Sequence, residues 1–219
     1  MKVVAWVPIK MNNERLPGKN VLPLAGKPLC QHVLGELQGL DGVDGVYAFC
    51  SEEELEQYLP EGVERISRDT SLNSFTTKIN DVILAFSKVV DADVYVYAQV
   101  TSPFLKKESI KEGLDAVLSG EYDSSLSVKT LRDFLWKDKK APFNYDPANI
   151  ARTQDLEPFY QETGGFYIYT KELIQKYNRR TGFAPYLVEV NEIEAVDIDY
   201  REDYELAKAI AISTQKEDK

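Results

Sequence analysis

Lys2–Ile9, KVVAWVPI, is the stretch that most narrows what this chain can fold into. It is almost continuously apolar and rich in β-branched residues, which suits a strand covered on both faces better than one with a wet side. A polar loop, Lys10–Asn20, follows it. Pro28–Leu40 then places Leu29, Val33, Leu37 and Leu40 at helical spacing, with Pro28 tolerated at the first turn. The strand, loop, helix order recurs: Val43–Cys50 reads as a second strand, Glu52–Tyr58 as a short acidic helix and Val63–Ile66 as a third strand. Thr76–Val90 repeats Ile79, Val82, Ile83 and Phe86 as an amphipathic helix should, and Asp93–Ala98, DVYVYA, returns to strand composition. This alternation predicts an α/β fold with a mainly parallel sheet flanked by helices.

Glu108–Leu118 reads as a helix and Ser124–Thr130 as a strand, after which Arg132–Gln161 loses period and gathers aromatics, prolines and charges. A structureless loop of that length is unusual inside a compact domain, so the excursion is expected to form a hairpin arm, a lid or a surface packed on another subunit. Gly165–Tyr169 resumes the sheet and Lys171–Tyr177 reads as helix. Tyr186–Val190 and Ala195–Ile198 look strand-like, Arg201–Ile212 is a last helix, and Ser213–Lys219 is expected to fray. With no repeat or linker, residues 1–219 read as one domain carrying an arm at about 131–162.

Lys plus Arg number 26 against 36 Asp plus Glu, a net charge of -10, which disfavours nucleic acid and anionic membrane as partners. A phosphate ligand must therefore be held by local cations. Cys30 and Cys50 form neither a disulfide framework nor a metal-ligand spacing, and the N-terminus lacks a signal-peptide order, so a reducing cytoplasm is expected. No apolar run reaches the roughly 18–20 residues that cross a bilayer.

Lys10–Asn20, KMNNERLPGKN, supplies such cations on the connection leaving the first strand, the edge where open α/β sheets bind ligands. Lys10, Arg15 and Lys19, with the turn formers Asn12, Asn13 and Gly18, can surround a polyphosphate, or the loop can simply be solvated. It is neither a P-loop nor a dinucleotide fingerprint, since the required glycine and Gly-Lys-Ser/Thr orders are missing. Asp197 and Asp199, alternating in VDIDY, present two hard carboxylates to one side of a strand, which suits Mg²⁺; helix capping by Asp199 is the plainer alternative. In QVTSP, the Gln99 amide and the Thr101 and Ser102 hydroxyls face the same crevice and can read sugar hydroxyls, or the hydroxyls can cap the next helix. Arg68 and Asn73 can contact a base or a phosphate. Arg152 and the segment YQETGG, with Gln161 before the glycine pair, lie beside the arm and can approach a sugar. His32 falls between Leu29 and Val33 and reads as a packed helix residue. No Ser or Cys has a base partner, so a hydrolytic nucleophile is not expected.

Val7–Leu29 (VPIKMNNERLPGKNVLPLAGKPL), QVTSP and Glu194–Ala207 (EAVDIDYREDYELA) together resemble the cytidylyltransferase family that makes CMP-linked acidic sugars, including the acylneuraminate and ketodeoxyoctonate synthetases. The resemblance runs over nearly the whole chain. It implies a Rossmann-like domain of the nucleotide-diphospho-sugar transferase type, a homodimer in which the arm reaches the partner, and Mg²⁺ as cofactor. By position, Lys10, Arg15 and Lys19 would hold the triphosphate of CTP, Asn20 and Arg68 would contact the nucleotide, Gln99 the acidic sugar, and Asp197 and Asp199 the metal. Lys10 stands where the family usually carries Arg, and Gln161-Glu162-Thr163-Gly164 stands where the sialate branch has Arg before Pro-Asn-Gly. The implied reaction is attack of the sugar's anomeric hydroxyl on the α-phosphorus of CTP, with Lys19, Arg15 and Asp199 carrying catalysis. Two rival readings are transfer to another base or acceptor, and a catalytically silent nucleotide-sugar-binding subunit.

Overall fold

The computed structural model of the chain describes residues 1–137 and 139–217. The opening apolar run forms β1 (Val3–Pro8), buried along almost its whole length. Two-residue strands β2 (Pro23–Leu24) and β3 (Lys27–Pro28) close a tight turn through Ala25 (φ 48°) and Gly26 (φ 82°), and lead into helix α1 (Leu29–Gln38). β4 (Gly45–Cys50), β5 (Glu64–Ser67), α2 (Ile79–Val89), β6 (Val94–Ala98) and α3 (Lys107–Leu118) continue the expected alternation within a few residues of the sequence-derived limits. Glu53–Tyr58 winds as a 3-10 turn rather than an α-helix.

β7 (Ser124–Leu131) leads into the arm, which holds the small hairpin β8 (Trp136–Lys137) and β9 (Ala141–Pro142). The chain returns through β10 (Phe159–Thr170), then α4 (Lys171–Tyr177), β11 (Pro185–Glu189) and α5 (Arg201–Glu217). Two expectations need correction. Ala195–Ile198 is not a strand: Asn191 Oδ1 accepts from the Ile193 and Glu194 N–H groups and folds the segment into turns. The last helix runs past the expected limit at Ile212 to Glu217; Asp218 and Lys219 lie outside the described residues.

Among the described residues seven strands form one sheet in the order β11-β7-β10-β6-β1-β4-β5. All neighbours pair in parallel except β10, which runs antiparallel to both β6 and β7. Growth proceeds from β1 toward β5 on one side and resumes with β6 on the other, so the carboxyl ends of β1 and β6 flank a topological switch point. β7 and β10 also pair beyond the sheet, Phe159 with Leu131 through Glu162 with Val128, and the register shifts between Glu162 and Tyr167. The arm therefore stands on a two-stranded base, as a hairpin.

Strand alternation divides the core into two layers. Val3, Ala5 and Val7 pack with residues of α1, α3 and α5, whereas Val4 and Trp6 pack with residues of α2 and α4. Gly113 lets α3 approach the sheet closely, since a Cβ there would meet Ser125 Oγ at 2.7 Å and Phe166 at 3.0 Å. The Ser125 hydroxyl donates to the Gly113 carbonyl at 2.9 Å, which satisfies a polar group buried in this layer.

Candidate active site

The loop after β1 is shaped by its own backbone before any ligand is considered. Leu16 is buried as an anchor, and Gly18 adopts a left-handed conformation (φ 67°) that turns the chain into the 3-10 segment Lys19–Val21. Lys19 and Asn20 are thereby carried inward, 8% and 6% exposed. The Asn20 amide donates to the Lys10 carbonyl at 2.8 Å and closes the loop on itself. A cleft of about 240 Å³ opens above it, lined by Pro8, Lys10, Asn13, Lys19, Asn20, Arg68, Gln99 and Thr101, with Ile79 and Val82 of α2 forming an apolar wall. A second hollow of about 270 Å³ shares Lys10, Asn13 and Lys19 and adds Arg15.

The acidic segment meets this loop from the far end of the chain. Lys19 Nζ donates to the Ile198 carbonyl at 2.8 Å and to Asp199 Oδ1 at 2.9 Å, and Arg15 pairs with the other oxygen of Asp199. Ile198 N–H donates to the Thr101 carbonyl at 2.9 Å, which ties the acidic segment to QVTSP at the tip of β6. Asp199 does not cap α5. That work falls to Asp203, whose Oδ2 accepts from the Asp199 and Tyr200 N–H groups at 3.0 and 2.7 Å, leaving the Asp199 carboxylate for the cations. Asp197 keeps part of its surface open, yet its carboxyl is held above the ordinary carboxylate range, first by loss of surrounding water and then by the charge of Asp199, against a hydrogen bond from Thr101 and the attraction of Lys19.

Arg68 closes the opposite rim. It is 5% exposed, donates to Asn73 Oδ1 at 2.6 Å and lies over the Phe49 ring, while its Nε is buried without a protein acceptor. Asn73 is oriented in turn, donating to Ser51 Oγ at 2.7 Å and Glu52 Oε1 at 3.0 Å. Asn13 Oδ1 is the other buried polar side-chain atom with no partner among the described residues. Unmet hydrogen-bonding capacity on two walls of one cleft marks where a polar ligand would complete the site. Burial pushes the Cys30 thiol up to about 11 and the Cys50 thiol up to about 12, so both stay protonated at neutral pH and neither is an activated nucleophile.

The structure thus brings together Lys10, Arg15, Lys19, Asn20, Arg68, Asn73, Gln99, Thr101, Asp197 and Asp199. Four other candidates stand elsewhere. Asn12 is exposed, and Asn13 takes its place in the wall. Ser102 is buried behind the cleft, its N–H turned to the Gln99 carbonyl. Arg152 is exposed on the arm and paired with Asp155 at 2.7 Å, and Gln161 is an exposed β10 residue opposite Lys129. His32 contacts the Leu24 carbonyl at 2.9 Å and is a packing residue. No helix among the described residues is long and apolar enough to cross a membrane.

A Rossmann-like sheet whose carboxyl edge faces a basic loop against a carboxylate pair defines a nucleotidyltransferase-type α/β domain. Two solved structures share the fold: a CMP:2-keto-3-deoxy-manno-octonic acid synthetase complexed with CTP (TM-score 0.74, 17% identity, 98% of this chain and 100% of that one) and the 4-diphosphocytidyl-2C-methyl-D-erythritol synthase of Anaerococcus prevotii (TM-score 0.68, 12% identity, 95% of each). Residues 4–218 match the cytidylyltransferase family, and the chain belongs to it. It is 28% identical over 215 residues to the N-acylneuraminate cytidylyltransferase of Oncorhynchus mykiss, covering 94% of this chain and 49% of the relative. It is 26% identical over 200 residues to the 8-amino-3,8-dideoxy-manno-octulosonate cytidylyltransferase of Shewanella frigidimarina, 81% of this chain and 78% of that protein. The chain spans about half the length of the N-acylneuraminate relatives it matches.

Proposed function

We propose that this protein transfers CMP from CTP to the anomeric hydroxyl of an acidic keto sugar of the sialate type, forming a CMP-sugar and releasing pyrophosphate. The observation that carries this reading is Lys19, whose buried ammonium joins the basic loop to Asp199 across 180 residues of sequence. That contact supports a reading in which the cations of the loop hold the triphosphate and the neighbouring carboxylates a metal ion.

Asp197 and Asp199 suit a magnesium ion, which takes one or two carboxylates and completes its shell with water and phosphate oxygens. A divalent cation between Asp197 and Asp199 would offset the repulsion of the two like charges that helps raise the Asp197 carboxyl. Magnesium, when bound, would neutralise phosphate charge and lower the pKa of the attacking hydroxyl. The chain's own residues do the rest. Lys10, Arg15 and Lys19 orient the triphosphate and stabilise charge that accumulates on departing pyrophosphate. Arg68 and Asn13 offer directed hydrogen bonds to the nucleoside, and Gln99 with Thr101 borders the space left for the sugar. The hydroxyl displaces pyrophosphate directly, its proton leaves to solvent or phosphate oxygen, and no covalent enzyme intermediate is needed.

The test is pyrophosphate release with Mg²⁺ across CTP, UTP, GTP and ATP, each against N-acetylneuraminate, ketodeoxyoctonate and other acidic nonulosonates. Release with CTP and an acid sugar, abolished by EDTA and restored by Mg²⁺, is the expected result. Release with another nucleotide changes the base, and CTP binding with silence throughout favours a binding subunit.

The arm supports a second element of this reading, a homodimer. Trp136, Phe143 and Ile150 are 58%, 56% and 62% exposed on one excursion, apolar side chains that a second copy could cover. Mass measurement in solution at micromolar concentration should give twice the chain mass, and a monomer there would remove the dimer from the proposal.

A further inference from the structure

Beside the cleft, on the other flank of the α2 N-terminus, lies a hollow of about 250 Å³ lined by Asn80, Glu162, Arg179, Arg180 and Thr181. Ile79 lines the cleft and Asn80, the next residue, lines this hollow, so one helix start separates the two. The arginines emerge at a fixed place. Asn178 ends α4 in the left-handed conformation (φ 52°), the Asn178 and Arg179 N–H groups return to the Ile174 and Leu173 carbonyls, and Asn80 Nδ2 donates to the Asn178 carbonyl at 2.8 Å.

The two arginines differ in what they have left to offer. Arg179 donates to the Gly182 carbonyl at 3.0 Å and lies over Phe183. Arg180 lies with its guanidinium carbon 3.6 Å from the Tyr167 ring centroid and 6.0 Å from that of Tyr97. Among the described residues it donates no hydrogen bond and forms no ion pair. Stacking holds the guanidinium flat while leaving its in-plane donors unspent, the arrangement that binds a carboxylate through two parallel hydrogen bonds.

The position points toward the sugar. Tyr97 lies on β6 and Gln99 one residue past its end, and Gln99 Nε2 comes within 3.5 Å of a Cβ built at Gly164, two residues beyond Glu162. Glu162 makes the hollow mixed in charge, with its Oε2 accepting from the Tyr167 hydroxyl at 2.7 Å. A carboxylate in the hollow disfavours phosphate and pyrophosphate, while a ligand bearing one carboxylate and several hydroxyl or amino donors satisfies both charges.

Resting on the proposed transfer to an acidic sugar, we infer that Arg180, stacked on Tyr167 in the hollow beside the cleft, meets the acceptor's carboxylate and sets the preference for acid sugars. Two measurements separate this from the reaction itself. Calorimetric titration of N-acetylneuraminate and of ketodeoxyoctonate into the CTP-loaded protein, in Ca²⁺ to slow chemistry, should show binding of at least one by the parent. Arg180→Gln should weaken it about 10- to 100-fold, and Arg180→Lys less, with the thermal melt unchanged. In turnover, Arg180→Gln should raise the KM for the acid sugar by a similar factor and leave the KM for CTP within about twofold. Equal acid-sugar binding by parent and Arg180→Gln, or binding by neither, overturns the assignment. Binding that depends on Arg180 without any pyrophosphate release sustains the residue and sinks the reaction.

Discussion

Asp199→Asn is expected to lower kcat by about 10²–10³-fold while leaving the KM for CTP within a few-fold, because the carboxylate is asked to act on charge that develops during transfer. Asparagine keeps the volume and one oxygen, so packing around Ile198 and the link from Thr101 to Ile198 should survive. What is removed is a negative charge against Lys19 and Arg15. The Arg15 pair is half exposed and contributes little on its own. The Lys19 side chain is 10% exposed and would keep only the Ile198 carbonyl, so a stability loss of about 1–2 kcal/mol accompanies the kinetic one. Two readouts separate a kinetic role from a structural one. Thermal unfolding should shift by only a few degrees, and the Mg²⁺ concentration needed for half-maximal residual activity should rise. A variant that keeps more than about a tenth of parental turnover, with no change in Mg²⁺ requirement, would reduce Asp199 to an anchor for the basic loop.

The parts of this site legible in the sequence are those that sit at the ends of periodic segments. KVVAWVPI and DVYVYA declare two buried strands, and the residues just past them, Lys10–Asn20 and Gln99–Pro103, then belong to one sheet edge whatever else the chain does. Asp197 and Asp199 lie on a turn-and-loop segment and not on a strand, because Ile198, despite its strand composition, serves as a packing plug. Ile198 is fully buried, and a single hydrogen bond to Thr101 replaces a ladder. Between Asn12 and Asn13 composition offers no choice; the direction of a side chain in a loop depends on where Leu16 and Gly18 pin the backbone. Arg152 precedes YQETGG and Gln161 lies within it, yet Arg152 is exposed on the arm beside Asp155 and Gln161 is exposed where β10 pairs with β7. Arg180 was invisible for the opposite reason. It follows α4 in sequence without a motif, and only the antiparallel pairing of β10 with β6 brings the Tyr167 and Tyr97 rings under it.

Trp6→Ala should be the most destabilising single change in the sheet. Trp6 is fully buried on the α2 side of β1, stacked on Phe86 at 4.2 Å and packed by Phe49 and Tyr97 at 6.0 and 5.1 Å. Truncation removes that contact area and leaves a cavity between two layers, a loss of about 3–5 kcal/mol. It also strips the Tyr169 hydroxyl of the Trp6 Nε1–H that reaches it at 3.1 Å, in a place where burial holds the phenol well above its ordinary pKa. For a domain of this size the melting temperature should fall by roughly 6–20 °C. Trp6→Phe keeps a ring against Phe86 and loses the hydrogen bond, so a smaller fall of about 1–2 kcal/mol separates packing from hydrogen bonding. The effect should reach the site as well. Phe86 lies on the helix whose first turns place Ile79 and Val82 in the cleft wall, so loosening the stack lets that wall move and raises the KM for CTP at temperatures well below the melt. Urea unfolding decides the energetic claim. A Trp6→Ala midpoint within error of the parent would mean that α2 is held to the sheet by contacts other than this aromatic layer.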